Sequence, residues 1–97
     1  MDLKKINKKI KSFVKARDWD QFHSPKNLSM ALSVEASELL EIFQWLKESD
    51  FKKVDKQKVA DEIADIFFYL IRISQKMNID IEKSFYTKLK KLSLIHI

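Results

Sequence analysis

The chain has 97 residues, a formal net charge of +5, no glycine, no cysteine and a single proline. This length supports one domain with a modest core, and the missing glycines exclude a P-loop or a dinucleotide-binding turn, so any phosphate must be met by side chains and cations. The missing cysteines exclude disulfides and thiolate metal sites; the longest apolar run, Ile66 to Ile71, is too short to span a bilayer, and Met1-Asp2-Leu3-Lys4 carries no signal-peptide pattern.

These features predict a cytoplasmic protein with no membrane association. The lysines are spread over Lys4–Lys15, Lys52–Lys58 and Lys83–Lys91, with acids between the later ones. They read as the wet faces of helices, so no nucleic-acid partner is expected. The same positive field would draw a small anionic ligand. Leu3, Ile6, Ile10, Phe13, Val14 and Arg17 recur at three and four, predicting an amphipathic first helix of about four turns. Arg17-Asp18-Trp19-Asp20-Gln21-Phe22-His23 breaks the period and reads as a connector. Trp19 either caps the core or offers a surface on which a base can stack. His23 has no second histidine at ligand spacing, so it is read as structural or solvated.

Ser24-Pro25 starts the second helix, with serine capping and proline at the first turn. The pattern carries that helix to about Lys47. At roughly 100° per residue, Leu28, Ala31, Leu32, Leu39, Ile42 and Leu46 form one stripe. Glu35 falls inside it, Glu38 on its edge and Glu41 nearer the polar side. A salt bridge at the rim explains Glu41 and Glu38 but explains Glu35 poorly.

Glu48 to Val54 is a polar link, and Asp55 can cap a third helix running to about Met77. Val59, Ile63, Ile66, Phe67, Phe68, Leu70, Ile71 and Ile73 cover most of its circumference. Such a helix is buried on every side, yet a monomer of this length has too few other helices to surround it. The excess apolar face predicts a subunit interface. Glu62 again lies among apolar neighbours, with Asp65 beside it; Arg72 follows on the Asp65 side, where it can meet a carboxylate or a phosphate. Glu35-Ala-Ser-Glu38 and Glu62-Ile-Ala-Asp65 thus each place two carboxylates on one helical face, four in all where a core belongs. Ionised carboxylates are not buried without compensation, and a hard divalent cation is the natural compensating group.

Asn78-Ile79-Asp80 supplies a turn and a cap for a last helix carrying Ile81, Phe85 and Leu89 on one face. Leu92-Ser-Leu-Ile-His-Ile97 fits no cap or period. It looks like translated transposase-adapter sequence, so residues 1–91 are read as the single domain and 92–97 as a non-native tail on a truncated chain. His96 then carries no functional weight.

Together these segments resemble the MazG-like, all-α nucleoside triphosphate pyrophosphohydrolases, most nearly the dCTP pyrophosphatase branch. The family pattern E-x-x-E, spacer, E-x-x-D falls on Glu35, Glu38, Glu62 and Asp65. The resemblance extends through Arg17 to His23, Pro25-Lys26-Asn27-Leu28, Ala31-Leu32, Glu41-Ile42-Phe43-Gln44-Trp45, Asp61 to Asp65 and Tyr69-Leu70, over roughly residues 5 to 91. Ala36 and Ser37 stand where members often have glycine. Lys88 falls on the family's lysine, but Leu92 stands where its asparagine would be.

The resemblance implies a four-helix bundle assembled as a homodimer or dimer of dimers. It implies hydrolysis of a (d)NTP to the monophosphate and pyrophosphate, clearing non-standard or surplus nucleotides such as dCTP analogues. Glu35, Glu38, Glu62 and Asp65 would hold Mg²⁺, with Mn²⁺ as a substitute. One of them, Glu38 in the first instance, would handle the attacking water. Trp19 and Trp45 would wall the base, Tyr69 would touch sugar or phosphate, and Lys88 and Arg72 would meet phosphate. Two alternatives stay open. One is a phosphoribosyl-ATP pyrophosphatase-like enzyme, which the two tryptophans disfavour. The other is a non-catalytic helical interaction module whose acids pair with the lysines.

Overall fold

The computed structural model describes residues 1–95. Four helices form in order: α1 (Leu3–Ala16), α2 (Pro25–Phe43), α3 (Lys56–Lys76) and α4 (Ile81–Ile95). Short 3-10 segments lie at Asp20–Phe22 and Glu48–Lys53. No strand occurs among the described residues, so the fold is all-α. No helix is long and apolar enough to cross a membrane. His96 and Ile97, the end of the segment read as a non-native tail, lie outside the described residues.

Each helix starts on a short polar side chain that accepts from a free backbone N–H. Asp2 accepts from Lys5, Ser24 from Asn27, Asp55 from Gln57 and Asp80 from Lys83, all at 3.0–3.1 Å. Such caps contribute about 1 kcal/mol each. Two helices end without glycine in a turn that usually uses it. At the end of α1 the Trp19 N–H reaches the Val14 carbonyl and the Asp18 N–H the Lys15 carbonyl. At the end of α3 the Ile79 N–H reaches Ser74 and the Asn78 N–H reaches Gln75. Both are Schellman turns, with Asp18 and Asn78 in the left-handed region at φ 54°. Asp and Asn tolerate that region better than other residues bearing a Cβ.

Two boundaries differ from the sequence expectation. α2 stops at Phe43 rather than near Lys47. After the Gln44 N–H bonds the Leu40 carbonyl, the chain tightens so that the Leu46 N–H bonds Phe43, which puts Trp45 beyond the helix. α4 continues past Lys91 to Ile95.

α2 and α3 form an antiparallel pair, the principal packing unit of the chain. α1 crosses α3 near its C-terminal half, where the Gln75 amide donates to the Asn7 carbonyl and side-chain oxygen at 3.1 and 2.9 Å. The fully buried apolar core is small: Val14 from α1, Leu28 from α2 and Ile71 from α3. α3 was expected to be buried all round, but in the single chain Ile63 is 54 % exposed and Leu70 39 %. Phe85, Leu89 and Leu94 of α4 are exposed as well. The accessible surface is 8181 Å², against about 5,800 Å² for a compact monomer of this mass. The radius of gyration is 16.0 Å, against about 12.5 Å for a compact domain of this length. The chain is an open arrangement of helices with much of its apolar surface uncovered.

The Schellman turn gives a direct test. Asn78→Ala should destabilise the protein by about 1 kcal/mol, because Ala meets the left-handed penalty without a side-chain amide to offset it. Asn78→Gly should not destabilise it. Chemical denaturation of the two variants checks the pair.

Candidate active site

The antiparallel register of α2 and α3 decides which acids meet. His23, just before α2, pairs with Arg72 near the end of α3. Further along, Glu35 comes opposite Glu62, and Glu38, Glu41 and Ile42 line a groove with Lys58, Asp61 and Glu62. That groove encloses about 470 Å³.

Carboxylate oxygens of Glu35, Glu62 and Asp65 lie within 4.8 Å of one another. Glu35 and Glu62 are half-buried and Asp65 is exposed. One oxygen of each glutamate, Glu35 Oε2 and Glu62 Oε2, is fully buried with no hydrogen-bond donor. Two facing carboxylates are both acceptors, so they have nothing to offer each other until a proton or a cation comes between them. The proton solution raises the Glu35 pKa from 4.5 to about 8. The largest cause is hydrogen bonding to Glu62, followed by burial and by Glu38. The cation solution fits the donor set equally well: buried, all-oxygen and converging, as a hard divalent ion requires. None of the ion pairs among the described residues involves Glu35, Glu38, Glu62 or Asp65. The lysine pairing that a plain interaction module would give these four acids is therefore not seen among the described residues.

Glu38 sits on the rim, one turn from Glu35, exposed and facing the groove. Tyr69, one turn beyond Asp65, is half-buried, and its hydroxyl pKa is raised by burial, then by Glu35 and Asp65. An aromatic cluster leads away from it. Phe68 meets Tyr69 edge-on at 5.4 Å, Phe13 at 6.2 Å and His23 at 6.3 Å, and Trp19 stands edge-on to Phe13 at 5.4 Å. Trp19 is thus linked through Phe13 and Phe68 to Tyr69, which follows Asp65 by one turn. Trp45 stands apart from this cluster, 89 % exposed beyond the end of α2. Lys88 lines an exposed groove on α4 with Lys83, Ser84, Thr87 and Lys91, separate from the acids.

Arg72 is placed differently from its expected phosphate role. It is 4 % exposed and already engaged. Its Nε donates to His23 Nδ1 at 3.0 Å, Nη1 to Gln75 Oε1 at 2.7 Å and Nη2 to Asp20 Oδ1 at 2.9 Å. Of the two roles the sequence allowed it, the structure takes the carboxylate. Lys76 joins the same Asp20 oxygen at 2.6 Å. The two cations, Lys76 first, hold the Asp20 carboxyl below its usual range, and burial followed by Arg72 lowers His23. His23 thus serves as a hydrogen-bond acceptor for Arg72. Sequence reasoning missed Lys58 and Asp61 as groove residues. The only signal was Asp61 preceding Glu62, which helical spacing turns toward a different side.

The MazG-like family matches residues 30–97, well over half the chain, and the protein belongs to that family. Among its relatives, dCTP pyrophosphatase 1 of Bos taurus is 30 % identical over 92 residues and that of Homo sapiens 29 %, each match taking in 90 % of this chain and 54 % of the relative. The chain therefore spans about half the length of these mammalian proteins. A crystal structure of a pyrophosphatase from Archaeoglobus fulgidus superposes with a TM-score of 0.90 at 31 % identity, covering 97 % of this chain and 91 % of the other.

The raised Glu35 pKa fixes a sign for pH dependence. A carboxyl that keeps its proton in the folded state but loses it on unfolding favours the fold at low pH. That contribution is full below 4.5 and is lost as pH rises through about 8. Between these limits Glu35→Gln, which cannot ionise, should flatten the fall in melting temperature with pH in metal-free buffer. A variant whose profile parallels the parent's would show that Glu35 is an ordinary carboxylate.

Proposed function

We propose that this protein is a Mg²⁺-dependent nucleoside triphosphate pyrophosphohydrolase that removes non-standard or surplus nucleotides. The observation that carries the reading is the pair of donorless buried oxygens on Glu35 and Glu62, converging with Asp65. Family membership and the dCTP pyrophosphatase relatives support the same chemistry.

In this reading Glu35, Glu62 and Asp65, with Glu38 at the rim, hold Mg²⁺. Bound there, the ion would neutralise phosphate charge and lower the pKa of water. The reaction is attack of water on the α-phosphorus with pyrophosphate leaving. Glu38, exposed and facing the groove, is the carboxylate proposed to orient that water and take its proton. Trp19 offers a ring face for the base. Stacking tolerates every base, so it gives affinity more than selectivity. Trp45 is proposed as a second wall, Tyr69 as a contact to sugar or phosphate, and Lys88 as a phosphate contact in the assembled protein.

We also propose a homo-oligomer, a dimer or tetramer. Its support is the surface excess described above, together with exposed Ile63 and Leu70 on α3 and Phe85 and Leu89 on α4. A second copy would cover these residues and lower the exposed apolar area toward that of an ordinary globular protein.

Four measurements test this reading. Pyrophosphate release from a panel of standard and modified (d)NTPs should require Mg²⁺ and leave the monophosphate. Glu38→Gln and Asp65→Asn should each lower kcat by roughly 10²-fold or more with circular dichroism unchanged; parent-like rates would remove these acids from the reaction. Mg²⁺ at about 100 times its Kd should stabilise the fold by about 2.7 kcal/mol, and at one fixed concentration it should stabilise more at pH 8 than at pH 6 because Glu35 must release its proton. Light scattering at micromolar concentration should give two or four times 11.6 kDa, and a monomer would overturn the assembly.

A further inference from the structure

The buried cluster around Arg72 has no part in the chemistry above, yet it is the most heavily hydrogen-bonded feature of the chain. Among the described residues Arg72 is the one buried charged side chain, and each of its nitrogens donates to a different residue: His23, Gln75 and Asp20. Two of these acceptors belong to the connector between α1 and α2. The third, Gln75, carries the network on to Asn7 of α1. Arg72 therefore joins three parts of the chain that otherwise share few contacts.

The segment it ties down is the one that carries Trp19. The Trp19 backbone is fixed on one side by the Schellman bond to Val14. Asn27 Nδ2 holds the far end of the connector through the Phe22 carbonyl at 3.1 Å. Between these points, the polar bonds that link the connector to α3 among the described residues are those of Asp20 and His23 to Arg72 and Lys76, beside the edge-on contact of His23 with Phe68. Asp20 directly follows Trp19, and His23 lies 6.4 Å from the indole, ring centre to ring centre. Without this anchor the turn can lift from α3, and the indole, already 41 % exposed, loses its fixed angle to Phe13 and His23.

We infer that Arg72, acting through Asp20 and His23, is a positioning residue that sets Trp19 as a rigid wall for the nucleotide base. The inference rests on the proposed function in one respect, that Trp19 meets a base. The clamp accounts for a guanidinium buried in the second half of α3, about two turns from Asp65, which charge attraction to phosphate does not. A rigid aromatic wall binds more tightly than a mobile one, since less freedom is lost on stacking. Its loss should appear in affinity for the base and leave the phosphate end untouched.

The test uses Asp20→Ala, which removes the acceptor of Arg72 Nη2 at an exposed position, with Asp20→Asn as the conservative variant that keeps an acceptor. In a Trp45→Phe background, tryptophan emission reports Trp19 alone. Asp20→Ala should shift that emission to the red and increase quenching by acrylamide, and Asp20→Asn should restore much of the parent signal. In the otherwise unaltered chain, Asp20→Ala should raise KM for a nucleoside triphosphate about tenfold, the scale of one base stack. Its kcat should change less than about twofold, and inhibition by inorganic triphosphate, which has no base, should stay at the parent level. Unchanged emission would overturn the clamp. Equal weakening of nucleotide and inorganic triphosphate would overturn its link to the base. A parent that turns over no nucleotide would overturn the functional reading and with it the base-binding half, while the emission measurement still decides the clamp.

Discussion

Two carboxylates that face each other without a donor govern the rest of this structure. Glu35 and Glu62 are brought together by the α2–α3 packing, each with an oxygen out of reach of water. Left ionised, such a pair would push the helices apart. The protein can hold it closed only with something positive in between. A shared proton serves when nothing else is present, which is why Glu35 keeps its proton up to about pH 8. A divalent cation, in the proposed function, serves better because it satisfies three or four oxygens at once. The same geometry that makes the pair awkward without a cation is what the proposed function uses to hold one.

Charge is divided along α3. Its first half presents Glu62 and Asp65, and its second half presents Arg72 and Lys76. The second half is consumed internally by Asp20, His23 and Gln75. The basic end therefore acts as a fastening for the connector, while Glu62 and Asp65 take part in none of the ion pairs among the described residues. The helix works as a ruler, with acids at one end and the fastening about two turns away. The aromatic cluster from Tyr69 through Phe68 to Phe13 and Trp19 bridges the two.

The core is thin. Three fully buried apolar side chains hold helices that carry many exposed ones. Burial of a large apolar side chain contributes about 1.5–3 kcal/mol, so a core this small leaves little margin in a single chain. The proposed assembly would make the missing core intermolecular.

Much of this was legible in the sequence, because helical caps and periodicity act locally. Ser24, Asp55 and Asp80 cap where the residue types indicated, and Glu35 sits half-buried where the apolar stripe placed it. Other features depend on elements far apart in the chain. That Arg72 would take Asp20 rather than a phosphate depends on a contact spanning 52 residues. That Lys58 and Asp61 would share a groove with Glu38 and Glu41 depends on the register of two helices. The end of α2 at Phe43 was missed because no glycine or proline marks it.

The sequence alone determined an all-α chain, the helical starts, and two i, i+3 acidic pairs in apolar surroundings, since each follows from the 3.6-residue repeat and from backbone groups at helix ends. Only the tertiary structure decided which acids converge, which carboxylate holds a proton, and which cation is spent on a fold contact. Those outcomes depend on distances of a few ångströms between helices, and Coulomb and hydrogen-bond energies change steeply over that range.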